Sequence, residues 1–233
     1  MMEKKGTLTT KIICNDDQTH VYEICREFDT EGEEIILLTL FPTVTEPNKC
    51  DLSGLHMLNH ASDEGLELKK IHFVFLFSKV SASRLSTKGL RFDTENMDYL
   101  RNLFTRLPEA KIVISFGASM DKCPAVIESK VRLFQIIKEL RAEEALWQIS
   151  ADGMEEESPH ILFAGIRYGN EKWSLCHYRV PHRFTKEGYD LYLANKEEAR
   201  QRFIKNVLEV KKEGQEKPEK QGKGKKKDAN QKS

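Results

Sequence analysis

No apolar run in this sequence approaches the ~20 residues needed to cross a bilayer; the longest are IILLTLF and FVFLF. The N-terminal stretch MMEKKGTLTTKII lacks the apolar segment of about 7–15 residues and the small-residue cleavage site of a secretory signal. The expectation is a cytoplasmic protein with no membrane partner. The five cysteines (Cys14, Cys25, Cys50, Cys123 and Cys176) form no CxxC pair. They read as reduced thiols, because cytosolic chains rarely keep disulfides. Walker A and GxGxxG patterns are both missing, which removes support for nucleotide-fuelled and dinucleotide chemistry, and no cofactor is expected. Neither charge sign is in excess, with 37 Lys and Arg against 37 Asp and Glu, so no dominant nucleic-acid surface follows from composition.

What is present fits one α/β domain. A chain of 233 residues is long enough to bury a self-sufficient core. Leu8–Cys14 and His20–Phe28 are β-rich and flank the polar stretch Asn15–Gln18, which predicts an antiparallel hairpin. Glu34–Phe41, His72–Phe77 and Lys111–Phe116 are continuous apolar runs, the pattern of strands covered on both faces. Between them Asp51–Ala61 and Glu95–Leu107 carry apolar residues at helical spacing, and a longer helix is predicted over Ala125–Leu146. Alternation of strand and helix implies βαβ crossovers. Trp147–Ser150, Ile161–Tyr168 and Trp173–Val180 read as further strands, the last two as a hairpin around Gly169–Asn170.

The predicted fold is therefore a three-layer α/β/α domain over 8–210, with a short, mostly parallel sheet, an N-terminal antiparallel hairpin and a C-terminal helix from about Lys186 to Lys211. Residues 1–7 read as a flexible start. From Lys211 to Ser233 the chain holds nine lysines against four acidic residues and no aliphatic side chain larger than Ala. Such a tail cannot offset an ordering cost of roughly 1–2 kcal/mol per residue and is expected to be disordered.

Ligands on open α/β sheets sit beyond the carboxyl ends of the strands, which directs attention to three loops. The first contains Pro42, Thr43 and Asp51, with Asp51 also suited to capping the next helix. The second, Ser78–Lys79–Val80–Ser81–Ala82–Ser83–Arg84, offers hydroxyls and cations suited to a phosphate. The third places Gly117 at a strand end before a helix, where backbone amides can approach a ligand closely. His56 and His60 share a helix face, but no HExxH pattern accompanies them, and no metal is assigned. No GxSxG elbow supports a serine nucleophile with His160, His177 or His182 as its base.

With the strands placed, Leu40–Phe41–Pro42–Thr43, Phe75–Leu76–Phe77 and Phe116–Gly117 resemble the strand ends Leu-Asn-Pro-Ser, Asn-Leu-Phe and Trp-Gly of an uncharacterised bacterial and phage domain family. That layout is in turn similar to a distant version of the uracil-DNA glycosylase superfamily. The resemblance covers about 148 residues, from about Val21 to Tyr168. It implies a uracil-DNA glycosylase-like fold with a base pocket at the strand ends. Phe41 and Phe75 stand where the family carries asparagine, and Pro159–His160 approximates a His-Pro motif. A phenyl ring can stack or pack but cannot position a water, so the resemblance implies DNA, RNA or nucleotide binding with little or no catalysis. The ligand-binding residues expected are Phe41, Pro42, Thr43, Asp51, Phe75, Ser78, Lys79, Arg84 and Gly117, with Asp51 the one catalytic candidate. The alternative is a protein-interaction module, such as a phage-type factor binding a host protein. An active glycosylase or other hydrolase is the third reading.

Overall fold

The computed structural model describes residues 2–3, 5–63, 66–81, 90–118, 120–140, 142–151, 160–162 and 173–215, side chains of 60–63 and 206–215 excepted. Seven strands form one mixed sheet: β1 (Leu8–Cys14), β2 (Val21–Phe28), β3 (Glu33–Thr39), β4 (Leu68–Phe75), β5 (Lys111–Ile114), β6 (Leu146–Ala151) and β7 (Trp173–His177). The helices are α1 (Leu52–Asp63), α2 (Thr94–Arg106), α3 (Pro124–Glu139) and α4 (Lys186–Gln215). The spatial order is β1-β2-β4-β3-β5-β6-β7. β4, β3, β5 and β6 run parallel, and antiparallel pairs close both edges. The mixed α/β class, the parallel centre, the N-terminal hairpin and the C-terminal helix are as the apolar pattern predicts.

The continuous apolar runs are explained by burial on both sides. Along a strand, alternate residues face opposite layers. Ile35, Leu37, Ile71, Phe73, Phe75 and Val113 share a core cluster with Met57 of α1. Their neighbours Ile36, Leu38, Val74, Ile112 and Ile114 are equally buried but face the other layer. There Tyr99 of α2 reaches Glu23 on β2, and α2 packs against α3. Each such Leu or Ile contributes roughly 1.5–3 kcal/mol by leaving water. By contrast no residue of β1 is buried, as suits an edge strand.

Helix boundaries follow local chemistry. α2 starts where the Asp93 carboxylate accepts the Asn96 amide at 3.1 Å, an N-cap that satisfies one of the free first-turn amides. α3 begins with Pro124 in its first turn, a position where a missing N–H costs nothing. It ends at Glu139, earlier than the predicted Leu146. Leu146 instead opens β6 opposite Ile112, because a fully buried place in the sheet outweighs the helix preference of Arg141–Ala145.

Of the predicted hairpin of Ile161–Tyr168 with Trp173–Val180, the described part is β7 and the start of its expected partner. β7 pairs antiparallel with β6, with Ile149 opposite Leu175. Ile161 and Leu162 are helical, and 163–172 lie outside the described residues. Periodicity marks a strand but does not select its partner.

The chain divides into two units, Met1–Tyr189 and Asp190–Ser233. In the second, the helix continues past the expected Lys211 to Gln215 and exposes Leu191, Leu193, Phe203 and Ile204. Residues 216–233 of the Lys-rich tail lie outside the described residues. Among the described residues no helix is long and apolar enough to cross a membrane.

Candidate functional site

The strands β3 and β5 are neighbours, yet the chain leaves them in opposite directions. β3 passes through α1 to β4 on one side, and β5 passes through α3 to β6 on the other. Loops that part in this way leave a crevice at the carboxyl ends of the two strands, where open α/β sheets hold their ligands. Four of the chain's polar or special residues meet at this end of the sheet: Thr43, Asp51, Gly117 and His160.

Asp51 is held from two sides. Its Oδ1 accepts the Gly54 amide at 2.7 Å, capping α1, and its Oδ2 accepts the Thr43 hydroxyl at 2.7 Å. An ionised carboxylate offers about four acceptor sites, so both oxygens keep capacity for a ligand donor. An added Cβ at Gly54 would lie 2.7 Å from the Cys50 sulfur, so a larger residue would push that side chain aside. Beneath Asp51 is a cavity of about 20 Å³ lined by Arg26, Thr39, Cys50, Phe73 and Phe75, enough for a single water. Burial pushes the Cys50 thiol up from its ordinary range, partly opposed by the nearby Arg26.

Gly117 turns the chain after β5 with φ +64°, and an added Cβ would lie 3.2 Å from the Cβ of His160. Only glycine adopts that backbone without strain while allowing His160 so close. Next to it the Ser115 hydroxyl accepts the Ile161 amide at 2.8 Å, tying the segment that carries His160 to the end of β5. The Leu162 amide donates to His160 Nδ1 at 3.2 Å, which assigns the neutral ring proton to Nε2. Burial holds the imidazole below its ordinary range, and the negative charge of Asp51 acts against that shift.

The expected site residues separate into three groups. Thr43, Asp51 and Gly117 are at the crevice, and Phe75 floors the cavity under Asp51. Phe41 is buried and stacks on Phe77, with ring centroids 5.1 Å apart and planes 13° apart. Pro42 is buried and accepts the Ser81 amide at 3.0 Å, joining the loops after β3 and β4. Ser78 is fully buried and committed: its amide and hydroxyl both donate to Asp93, and its Oγ lies 2.7 Å from His20 Nδ1. Lys79 is exposed, and Arg84 lies outside the described residues. His56 sits on α1 as predicted, while the side chain of His60 lies outside the described residues.

His160 is the crevice residue that sequence reasoning underweighted. Its signal was the Pro159–His160 pair, with no indication that it would lie against Gly117. No protein-family model, curated protein or solved structure matches the chain.

Proposed function

We propose that the crevice at the carboxyl ends of β3 and β5 binds a nucleobase, as part of a nucleotide or of a nucleic-acid strand. The observation that carries this reading is that His160 rests against Gly117 where the loops part, near enough to Asp51 for the carboxylate charge to act on its ring. A base edge presents N–H donors beside carbonyl or ring-nitrogen acceptors. Asp51, with acceptor capacity to spare, takes the donors, and the His160 ring lines the other side of the base. The negative Asp51 disfavours a phosphate at the same place, so the base faces inward and the phosphate lies outward, where the exposed Lys79 offers a cation. Phe41 and Phe77 act by packing against each other and holding the loops.

The test is fluorescence anisotropy of the full-length protein with labelled single-stranded and duplex DNA across a salt series. Binding should weaken with salt, by a log–log slope of about −0.7 for each phosphate contacted on a single strand. Asp51→Asn and His160→Gln should each lower affinity about tenfold, the cost of a lost base contact of about 1–3 kcal/mol. Absence of any shift at low salt with protein in excess rejects the reading. Base release from a uracil-containing strand, abolished by Asp51→Ala, would show that the same pair performs hydrolysis.

The exposed Leu191, Leu193, Phe203 and Ile204 of α4 favour a second reading, that of a protein-interaction module. Apolar side chains of this size on a solvent-facing helix suit a helix-in-groove contact. One stoichiometric protein partner in a nuclease-treated pull-down, lost with Phe203→Ser, would support it; a partner retained by that variant would not.

A further inference from the structure

A second set of polar side chains gathers on the sheet face covered by α2, away from the strand-end crevice. Cys25 on β2 stands directly opposite His72 on β4 in the antiparallel ladder, and Glu23 lies two residues away on the same face. One donor atom from each of Glu23, Cys25 and His72 lies within 4.8 Å of the other two. Glu23 and His72 are 4% and 6% exposed, and Cys25 is buried. Carboxylate, thiol and imidazole so far from water are costly unless their charges are balanced in place.

The surroundings match what a metal site needs outside its ligands. His72 Nδ1 lies 2.7 Å from Glu23 Oε1, while its Nε2 lies 2.8 Å from Glu34 Oε1 on β3. One ring nitrogen therefore faces Glu23, and the other is held by a separate carboxylate. Ligating histidines are commonly held in this way, and ligating carboxylates are themselves hydrogen-bonded. Here the Tyr99 hydroxyl of α2 donates to Glu23 Oε2.

We propose that Glu23, Cys25 and His72 form a zinc site, with Glu34 and Tyr99 orienting the imidazole and the carboxylate from outside. Nitrogen, sulfur and oxygen together are the donor set of a borderline-soft divalent ion. Bonds of about 2.0–2.3 Å in a tetrahedron place donors roughly 3.3–3.8 Å apart. The imidazole–carboxylate contact opens slightly as the metal replaces the shared proton, and the thiol closes in by side-chain rotation. The ion would enter past Glu34, whose side chain is 34% exposed and lines a surface hollow with Arg106 and Lys111. This inference is independent of the nucleobase reading, since none of its residues touches the crevice.

The test uses untagged, full-length, reduced protein stripped of metal and titrated with Co²⁺, then Zn²⁺. The expected result is one Co²⁺ per chain with near-ultraviolet thiolate-to-cobalt absorption, displaced by Zn²⁺. Cys25→Ser should abolish that absorption, and Cys176→Ser should retain it. Glu34→Gln should weaken Zn²⁺ affinity by about 10–100-fold. His72→Gln risks misfolding, so the wild-type spectrum and the near-isosteric Cys25→Ser carry the decision. A wild-type spectrum without thiolate absorption overturns the proposal, as does absorption that Cys25→Ser leaves unchanged.

Discussion

The two polar clusters of this domain are built on opposite plans. The crevice set (Thr43, Asp51, Gly117 and His160) stands on loops, and the Asp51 carboxylate keeps acceptor capacity beyond its two hydrogen bonds. The set under α2 stands on strands: Glu23, Cys25 and His72 are buried between the sheet and a helix, and Glu34 stands at its solvent side. Strand residues are fixed by the ladder, so their polar groups must be satisfied from within or the domain loses stability. Loop residues are fixed by a few hydrogen bonds and can exchange water for a ligand. The contrast predicts that mutations in the enclosed set act mainly on folding, and mutations in the crevice mainly on binding.

The largest effect should come from Glu23→Ala, which strips His72 and Tyr99 of a buried partner. A loss of about 3 kcal/mol is expected in urea unfolding; a loss within about 0.5 kcal/mol would break the comparison. Gly117→Ala comes next. A residue with a Cβ at that positive φ costs about 1–2 kcal/mol, and it also presses on His160, so nucleotide or DNA binding should fall with stability.

Asp51 then separates capping from ligand binding. Asp51→Ala should cost about 1 kcal/mol through the lost cap of α1, whereas Asp51→Asn, an equally good cap, should cost only a few tenths. If Asp51→Asn nevertheless lowers binding as much as Asp51→Ala does, the carboxylate serves the ligand as well as the helix.

The smallest effect expected is a pH dependence. His160 is held below its ordinary value of 6.5 in the folded protein. Below that pH the unfolded chain binds the proton more readily, so folding stability falls as pH drops and is regained as pH rises. His72, which burial would lower but which its hydrogen bonds to Cys25, Glu23 and Glu34 raise to about 10, acts in the opposite direction. The His160 effect is therefore read as a difference: from about pH 7.5 to about pH 5.5 wild type should lose stability relative to His160→Gln in urea unfolding. An identical slope in the variant would show that His160 does not titrate in this way.

How much of this was legible in the sequence depended on whether the signal was local. β3, β4 and β5 announced themselves as apolar runs, because a strand covered on both faces has no polar side. α2 was legible from Met97, Leu100 and Phe104 on one face. Asp51 was legible as a cap, because a cap needs only its own turn. Ser78 looked like a ligand-binding hydroxyl and is fully committed to Asp93 and His20, both remote in sequence. Phe41 and Phe75 each read as a ring on which a base could stack, but Phe41 faces Phe77 while Phe75 lies under Asp51. The pairing of β7 with β6 was not legible for the same reason: pairing is a choice among strands, and periodicity does not record it.

The sequence by itself determined an α/β domain with central strands buried on both faces, capped helices and strand-end loops as the place to look for a site. These follow from burial and capping, which act within a strand or a turn. Only the tertiary structure decided that β3 and β5 lie side by side, that His160 comes to rest against Gly117 near Asp51, and that Cys25 faces His72 across a ladder. Those juxtapositions depend on strand order and register, which are set by the packing of the whole core.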